Sequence, residues 1–547
     1  MISLTINNKK YEYDEGISVS DLLSEHCRDK NPILVKIDNE IHSLRHKLYS
    51  DCTIDFIDAT TELGHKAYEK TALMIFITAV HDLYPELPLN NIAVKFIIGN
   101  GLYITIDGIE ISDSFLSGVK KHMQEIASAK LPISQHMLRS DEAIRIFDRL
   151  GMSDKSDMLK YRRKSLINIH ETGDICDYYY DHLGLNTGCL KNFGLKKYYG
   201  GLVLVTPIDP DDQAEKFVFS KKLFDVLHSY SEIMTNAGFT SISEFNNSIA
   251  THGFTYPVLI QEAMMEKEIS KIAVKIAANK NIKMILIAGP SSSGKTTFSH
   301  RLSSQLFANG LNGITLETDN YFIDRDKVPC DADGKPDFEA LEAMDIKQFE
   351  KDCLEMISGK EVQIPYYNFK TGKREYTGKK LKLEDNEILI AEGIHCLDPA
   401  MNGNLPKDRI FKIFIAPLTQ LSIDNHNYVS ANDTRLIRRI IRDYRKRNYS
   451  PSATILQWES VRRGEDKYIL PFRDDADVIF NSSIIYELGI LKPYAEGLLF
   501  NIKKKDPAYI YAKHLLKILD FFLCIPETLL PSNSLLTEFV GGNIFGV

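Results

Sequence analysis

The alternation of hydrophobic and polar positions predicts a small β-rich module at the start of the chain. Residues 2–6 alternate between apolar and polar side chains, and Asn7-Asn8 forms a turn into a second strand. A short helix follows, and apolar runs at 33–37 and 53–57 predict two further strands. A hairpin followed by a helix and more strands is the element order of a β-grasp fold. We therefore predict a first domain over residues 1–60.

A different pattern begins at Met284. An uninterrupted apolar run over 284–288 predicts one buried strand, and the form G-x-x-x-x-G-K-[ST] follows it and opens a helical pattern. Glycines let the backbone wrap around a phosphate, while amide N–H groups and the helix N-terminus point toward it. Lys295 can reach the terminal phosphates of a nucleotide, and the Thr296 hydroxyl can join the Mg²⁺ shell. The candidate nucleotide-binding residues are Gly289, Ser291, Ser292, Ser293, Gly294, Lys295, Thr296 and Thr297.

Two acidic residues stand where predicted strands end. A strand over 313–318 leads to Asp319, and the apolar run 387–391 leads to Glu392. In a parallel sheet both ends lie at the carboxyl edge, beside the phosphate loop. Asp319 can orient an acceptor hydroxyl and accept its proton, and Glu392 can hold a water of Mg²⁺. Taken alone, Asp319 is equally compatible with an ordinary turn or N-cap aspartate.

An arginine-rich helix is predicted over 433–443. Four of its arginines follow the spacing i, i+3, i+4 and i+7 and therefore share one face: Arg435, Arg438, Arg439 and Arg442. Guanidinium groups suit triphosphate oxygens because they are planar, multidentate and permanently charged. A solvated basic helix, or one facing RNA, is the alternative for this row.

Composition narrows the class of protein. A length of 547 residues suggests roughly three or four domains. A net charge of -8 argues against a general nucleic-acid binder and leaves a contact through the N-terminal modules open. Eight cysteines without a C-x-x-C pair fit reduced thiols. No leader pattern and no apolar run of about 20 residues is present, so we expect a cytoplasmic protein without a membrane partner.

Taken in order, these pieces resemble the uridine kinase/phosphoribulokinase family of P-loop kinases over residues 281–485. The segment Pro365–Arg374 also carries this resemblance. The resemblance implies an α/β fold with a parallel sheet, ATP and Mg²⁺ as cofactors, and transfer of the γ-phosphate to the 5′-hydroxyl of a ribonucleoside. It implies catalytic roles for Asp319 as general base and for Lys295, Arg438 and Arg447. Thr296 and Glu392 would serve Mg²⁺. The nucleoside would meet Tyr321, Tyr367, Asn368, Arg374 and Arg435.

One departure from that family concerns the acceptor. The family pattern is P-x-Y-D-F-x-x-H-x-R, and its histidine contacts the base; here Asn368 replaces the aspartate and Gly372 stands at the histidine position. Loss of a hydrogen-bonding group can change specificity by orders of magnitude. We expect Gly372 to leave room for a larger base. The preferred base and the choice between ATP and GTP stay open.

The preceding segments resemble parts of threonyl-tRNA synthetases. Residues 1–60 resemble a TGS domain, and 61–205 resemble the α+β domain that carries the synthetase editing site. Matching stretches of the second segment are Thr71-Ala72-Leu73-Met74, Asn186-Thr187-Gly188 and Tyr198-Tyr199-Gly200-Gly201. Lys70 and Met74 stand where that family has two histidines, with Cys176 and His182 later in the chain. We expect the fold without the hydrolase, and His65, His81 and His182 as ordinary surface or core residues.

The remaining segments carry no chemical motif. Residues 206–280 are predicted to be a helical linker, and 486–547 a helical extension that packs on the kinase core or on a second subunit. The oligomeric state stays open. Two functional alternatives also stay open: another small-molecule kinase of the same family, with a sugar phosphate or pantothenate-like acceptor, and an ATP-switched RNA- or ribosome-binding protein.

Overall fold

The computed structural model describes the whole chain except residues 28–30, 163, 215–216, 218, 331–333, 335, 420 and 547. The chain divides into two compact units, and the division does not follow the chain order. The N-terminal unit consists of Met1–Ser248, Gln420–Val429 and Glu496–Leu523. The C-terminal unit consists of Ile249–Thr419, Ser430–Ala495 and Cys524–Val547.

The first 58 residues form the hairpin, short helix and further strands that the alternation predicts. The elements are β1 (Ile2–Ile6), β2 (Lys9–Tyr13), β3 (Ile17–Ser18), α1 (Leu23–His26), β4 (Pro32–Ile37), β5 (Glu40–Ser43), β6 (Lys47–Leu48) and β7 (Cys52–Asp58). Five strands make one sheet in the order β2-β1-β7-β4-β5, with β1 and β7 parallel. The apolar positions of β1 are buried and the polar ones partly exposed, because successive side chains of a strand point to opposite faces.

Residues 62–205 form an α+β region with two antiparallel sheets. The elements are α2 (Glu62–Leu83), β8 (Ile92–Ile98), β9 (Gly101–Ile106), α3 (Asp113–Ala129), β10 (Ser134–Arg139), α4 (Ser140–Arg149), α5 (Ser153–Lys160), β11 (Leu166–Thr172), β12 (Ile175–Asp177), β13 (Gly194–Tyr198) and β14 (Gly201–Val205). The sheets have the orders β13-β14-β9-β8 and β10-β11-β12. Helix α2 is buried all round over 67–80, which explains why its sequence shows little amphipathic contrast.

Three helices lie within residues 206–280. They are α6 (Lys221–Ala237), α7 (Ile242–His252) and α8 (Thr255–Ala277). Within the C-terminal unit, α8 is tied to the segment after the phosphate loop by Arg301. The guanidinium of Arg301 lies 3.1 Å from a carboxylate oxygen of Glu262 and 2.6 Å from one of Glu266, and the arginine is buried.

The C-terminal unit is built on one parallel sheet. From residue 284 onward the elements are β15 (Met284–Ala288), α9 (Lys295–Ala308), β16 (Asn312–Glu317), α10 (Ile346–Ile357), β17 (Val362–Gln363), β18 (Tyr366–Asn368), β19 (Lys373–Glu375), β20 (Lys380–Leu381), β21 (Glu387–Glu392), α11 (Pro399–Asn402), β22 (Ile410–Ala416), β23 (Ser422–Asp424), β24 (Asn427–Tyr428), α12 (Ala431–Lys446), α13 (Pro451–Tyr468), β25 (Val478–Asn481), α14 (Glu487–Phe500), α15 (Tyr509–Leu519) and α16 (Thr537–Val540). Of these, β23, β24 and α15 belong to the N-terminal unit. The sheet order is β16-β21-β15-β22-β25, all parallel. The central strand β15 is completely buried, as its apolar run predicts.

Strands β23 and β24 form a hairpin that belongs to the N-terminal unit. Buried charges hold it there: the ammonium of Lys155 lies 2.8 Å from Asp177 and 2.7 Å from Asp424, and all three side chains are fully buried. Burial would lower the pKa of Lys155, but the two carboxylates raise it above its usual value, so the lysine stays charged. A buried pair of this kind fixes one arrangement because each charge is costly to leave alone.

Candidate active site

The phosphate loop lies between β15 and α9. A side chain at Gly289 would overlap the carbonyl oxygen of Ile415 on β22, and Gly294 has a φ of +86°, so both positions favour glycine. The ammonium of Lys295 donates to the carbonyl oxygens of Gly289 (3.0 Å) and Pro290 (3.3 Å), which folds it over the loop.

The loop also contains polar groups that suit an anion. The hydroxyl oxygens of Ser292 and Ser293 are buried without a hydrogen-bond partner among the described residues. Buried hydroxyls normally have a partner. Together with the loop amides and Lys295, they fit a nucleotide phosphate.

A hydroxyl and a carboxylate meet beside the loop. The Thr296 hydroxyl donates to Glu392 over 2.8 Å, and Glu392 ends β21 in register with Ile287 and Glu317 on the neighbouring strands. Burial raises the pKa of Glu392 to about 8; Lys295 and the Thr296 hydroxyl oppose this shift, and Asp319 and Glu317 add to it. Glu392 is buried, Asp319 is half-buried and Glu317 is exposed, and this grouping of carboxylates beside the loop fits a divalent cation. Mg²⁺ commonly takes one or two carboxylates and completes its shell with water and phosphate oxygens.

Asp319 lies in the single turn of 3₁₀-helix, Thr318–Tyr321, that follows β16. None of the described residues donates a hydrogen bond to its carboxylate, and its charge acts on Glu317, Glu392 and Arg447 by raising the pKa of each. The strand-end position predicted from the sequence is therefore present. Its carboxylate does not cap a helix and can therefore accept a hydrogen bond from a substrate hydroxyl.

Three arginines of α12 pack against the phosphate loop. Arg435 donates to the Ser291 carbonyl oxygen (3.0 Å), Arg439 to the Ser291 hydroxyl (2.8 Å), and Arg438 to the Ser292 carbonyl oxygen (3.4 Å). All three side chains are buried. The shared helix face predicted from the spacing is confirmed, and the alternative of a solvated or RNA-facing basic row is wrong for these three.

The arginines differ in what their guanidinium groups contact. Arg438 is fully buried; it is paired with Glu487 and donates to the Ser482 carbonyl oxygen (3.1 Å). Arg435 is paired with Glu465 and stacks over Trp458, 5.1 Å from the ring centroid. These contacts fit a role in holding the loop. The family resemblance implies that Arg438 contacts the transferring phosphoryl group and that Arg435 contacts the nucleoside. The contacts seen in the structure do not place either arginine there.

Arg447 is more accessible. Its side chain is 41% exposed at the end of α12, 3.7 Å from Asp443. Arg442 and burial lower the pKa of Arg447 to about 10, while Asp443 and Asp319 oppose the shift. The guanidinium therefore stays charged, and Asp319 is among the charges that act on it.

Sequence reasoning missed two carboxylates of this site. Glu465 is fully buried and accepts hydrogen bonds from the Ser291 amide (3.2 Å) and from Arg462 (3.1 Å), in addition to its pairing with Arg435. Glu339 has a buried Oε2 without a partner among the described residues. Burial raises the pKa of Glu339 to about 7; Arg439 opposes this, and Glu465 adds to it. Neither glutamate belongs to a spaced motif, so no sequence signal was available.

The acceptor side is aromatic. Phe322, Tyr367 and Phe369 form a cluster with ring centroids 5.0 to 6.5 Å apart. The backbone amide of Tyr367 donates to the Asn320 side chain over 3.2 Å, which ties β18 to the turn that carries Asp319. Phe322 and Tyr367 are buried and Phe369 is 49% exposed, so of the three rings it is Phe369 that can stack with a planar ligand.

Several predicted nucleoside contacts are used within the protein. Tyr321 is fully buried and its hydroxyl donates to Asp352 (3.0 Å). Asn368 accepts the amides of Lys370 and Thr371 and thereby holds the hairpin turn. Arg374 lies 2.8 Å from Asp345. Their described contacts indicate that these residues shape the acceptor side.

The expected room at Gly372 is not there. A Cβ at this position would lie 2.8 Å from Cβ and Nε of Arg325, and Gly372 has a φ of +70°. Arg325 also donates to the Phe369 carbonyl oxygen over 2.6 Å. Arg325 occupies the space beside the glycine, so the expectation of a larger base pocket here is wrong.

The end of the chain contacts the phosphate-loop helix. The Thr297 hydroxyl donates to Glu538 (3.3 Å) and accepts from Asn543 (3.2 Å), and a side chain at Gly294 would contact Leu535. The hydroxyl of Thr297 is therefore occupied by the tail, which leaves only its backbone for a nucleotide. Residues 524–547 pack on the C-terminal unit, whereas 496–523 belong to the other unit.

In the N-terminal unit, the two residues at the positions of the synthetase histidines are buried. The ammonium of Lys70 donates to the His426 carbonyl oxygen (3.3 Å) and lies 4.1 Å from the ring centroid of Tyr428, so the β23–β24 hairpin covers it. Met74 has no exposed surface. Burial and neighbouring acids raise the pKa of the Cys176 thiol to about 12. Over the described ranges, no group of three or more His, Cys, Asp or Glu side chains could hold a metal ion.

The other histidines considered from the sequence lie apart from one another. His65 makes a 3.3 Å hydrogen bond with Thr206, and the Nδ1 of His81 is buried without a partner among the described residues. Burial and Lys517 lower the pKa of His182 to about 4.

None of the helices in the described part of the chain is long and apolar enough to cross a membrane.

Comparisons with known proteins find relatives of two parts of the chain. The profile of the Phosphoribulokinase / Uridine kinase family matches residues 284–485. A uridine kinase of Ligilactobacillus salivarius is 30% identical over 206 residues, which are 37% of this chain and 87% of that protein. One of Ureaplasma parvum is 27% identical over 196 residues, 36% of this chain and 86% of that protein. A threonine--tRNA ligase of Clostridium kluyveri is 25% identical over 182 residues in the N-terminal part, 32% of this chain and 28% of that protein.

Proposed function

Because the chain belongs to the phosphoribulokinase/uridine kinase family, and is thus a P-loop phosphotransferase, we propose that it transfers the γ-phosphate of ATP to the 5′-hydroxyl of a ribonucleoside. The observation that carries this proposal is Asp319. Its carboxylate receives no hydrogen bond from the described residues, and it acts electrostatically on Glu392, which is bonded to the phosphate-loop threonine.

On the donor side, the loop amides, Lys295 and the hydroxyls of Ser292 and Ser293 would hold the phosphates. Thr296 and Glu392 would hold Mg²⁺, which when bound neutralises phosphate charge. The buried arginines 435, 438 and 439 would keep the loop in shape, since they donate to Ser291 and Ser292. Arg447, partly exposed, is the better candidate to stabilise the charge that is transferred.

On the acceptor side, Asp319 would orient the hydroxyl and accept its proton. The exposed ring of Phe369 would stack with the nucleoside base, with the buried Phe322 and Tyr367 packed against it, and the unpartnered Oε2 of Glu339 is available to a sugar hydroxyl. Tyr321, Asn368 and Arg374 would act indirectly, by fixing the hairpin and the turn that present these groups. Stacking rings favour a nucleoside over a sugar phosphate, which would need free cations instead.

The test is a panel of ribonucleosides with Mg²⁺ and ATP, read as ADP release, for the unmodified chain and for Asp319→Asn. We expect stimulation by at least one nucleoside and its loss in the variant, while ATP binding is kept. Asp326→Asn, an exposed aspartate in the same segment, is the matched control and should retain turnover. Full turnover in Asp319→Asn would remove Asp319 as the base.

The similarity of the N-terminal part to a threonine--tRNA ligase favours one second candidate, an ATP-switched RNA- or ribosome-binding protein. The same experiment separates the two. Absence of stimulation by every nucleoside, together with RNA that co-purifies with the chain, would favour the switch.

A further inference from the structure

The N-terminal unit contains a cavity of about 180 Å³ that the proposed kinase reaction does not use. Its wall is formed by β4, β5 with the turn before it, the first turns of α2, the segment 181–182, and α15. All lining residues belong to the N-terminal unit. Helix α15 reaches this unit only because the chain segment Glu496–Leu523 returns to it.

The wall carries more positive than negative side chains. Three lysines line the cavity, Lys66 from α2 and Lys513 and Lys517 from α15, against the two carboxylates of Glu40 and Asp181. Lys513 and Lys517 are four residues apart and therefore lie on the same face of α15. A ligand between the two helices would meet ammonium groups from both.

Both carboxylates also have nitrogen partners of their own. Glu40 lies 3.1 Å from Lys504, and Asp181 lies 3.4 Å from His514. Burial would raise the pKa of Asp181, but His514 and Lys517 lower it, so it stays ionised. Lys66 lies 3.4 Å from Glu62, which is outside the wall, and Asp181 acts on Lys517, but the wall still carries one lysine more than carboxylates.

The uneven charge of the wall affects the pKa of Lys517. Burial, Lys164 and Lys513 lower its pKa, and only Asp181 opposes them among the leading influences. Two histidines of the wall are neutral at pH 7, because burial lowers the pKa of His182 to about 4 and also lowers that of His42. The Nδ1 of His182 is buried without a partner among the described residues. An anion would offset the excess positive charge.

Part of the wall is apolar. Leu34, Ile41, Leu63, Ala67 and Ile510 face the cavity. An apolar wall with a few converging charged groups is typical of a small-molecule site. The volume suits a compact ligand with one charged end and one less polar end.

We propose that this cavity binds a small organic phosphate, with its phosphate between Lys66, Lys513 and Lys517 and its body against the apolar wall. Lysine ammonium groups are common phosphate ligands, and charge-assisted hydrogen bonds are the strong ones. The neutral rings of His42 and His182 would flank the ligand. The site is independent of the proposed kinase activity.

The test is hydrogen–deuterium exchange of the full chain, read by mass spectrometry, at constant ionic strength set with chloride. The probes are inorganic phosphate, uridine 5′-monophosphate and uridine. We expect the monophosphate to slow exchange in segments 34–42, 62–67 and 509–517. The double variant Lys513→Ala/Lys517→Ala should weaken this protection at least about tenfold in probe concentration, since it removes charge-assisted bonds. Lys120→Ala/Lys121→Ala, two exposed lysines on α3, is the matched control and should leave it unchanged.

The three probes distinguish the contribution of the phosphate group from that of the rest of the ligand. Protection by inorganic phosphate alone would show that the phosphate group suffices, and protection by the monophosphate alone would show that the body of the ligand is also read. Either result supports the site. Equal protection by uridine, protection that persists in the α15 variant, or no protection in these segments would overturn the proposal.

Discussion

Removal of Arg438 should destabilise the C-terminal unit rather than abolish a chemical step. Its guanidinium is fully buried, is paired with Glu487 and donates to the carbonyl oxygens of Ser482 and Ser292. Arg438→Met would leave the buried Glu487 carboxylate without its cation. Breaking a buried pair from one side costs about 3–5 kcal/mol, because an uncompensated charge is left in the interior.

The loss should depend on pH in a defined direction. Burial raises the pKa of Glu487, and Arg438 opposes that shift, so the variant raises the pKa further. A group whose folded-state pKa is raised contributes stability at low pH that is lost as pH rises toward the folded pKa. The deficit of Arg438→Met should therefore be smallest at acid pH, where Glu487 is protonated in both proteins, and should grow by up to about 1.4 kcal/mol per pH unit above the folded-state pKa of Glu487 in the unmodified chain.

The single tryptophan makes this measurable in the full chain. Trp458 is buried on α13 against Arg435, so its fluorescence during urea unfolding reports on the C-terminal unit. The control is Arg438→Met/Glu487→Leu, which removes both charges and should recover most of the stability. Equal stability of the single and double variants, or a deficit independent of pH, would refute the positioning role. Wild-type stability with lost turnover would instead assign Arg438 to the transferring phosphoryl group.

Two further predictions concern the site itself. The pKa of Glu392 is raised to about 8, and a carboxylate must be deprotonated to bind a metal ion. When Mg²⁺ binds to the chain saturated with a non-hydrolysable ATP analogue, about one proton should therefore be released near pH 7. The affinity for Mg²⁺ should increase as pH rises toward 8. Calorimetry in buffers of different ionisation enthalpy measures this release, which Glu392→Gln should lack; an enthalpy that is the same in every buffer would contradict it. Gly372→His should lower kcat/KM for all nucleosides alike, because the new side chain meets Arg325 at a φ of +70°. Gly378→His, at a φ of +89° with open space, controls for backbone strain alone, and a selective gain for uridine or cytidine in Gly372→His would show that the base pocket lies there after all.

Much of the catalytic architecture was predictable because it depends on local rules. The buried strand before Gly289, the helix after Gly294 and the strand that ends in Glu392 each follow from short-range pattern, and the structure has them within one residue of the predicted positions. The common face of Arg435, Arg438 and Arg439 also follows from helical spacing. Local periodicity and loop chemistry are sufficient when each feature is encoded by neighbouring residues.

What each arginine does could not be predicted in this way. Its role depends on partners distant in sequence, such as Glu487 for Arg438 and Glu465 for Arg435, and no spacing rule links them. The same holds for Gly372. From the sequence alone, a glycine at this position suggests empty space. In the structure, the β18–β19 hairpin brings Gly372 beside Arg325, and the side chain of Arg325 fills that space.

The sequence by itself determined the phosphate loop, the strand-end carboxylates, the arginine-bearing helix and the order of the elements around them. Only the tertiary structure decided which of those side chains stay available to a substrate, that 420–429 and 496–523 belong to the N-terminal unit, and that α15 completes a lysine-lined cavity there. The physical reason is that local patterns fix backbone conformation. The burial and pairing of a charge depend on long-range neighbours, which exist only once the chain has folded.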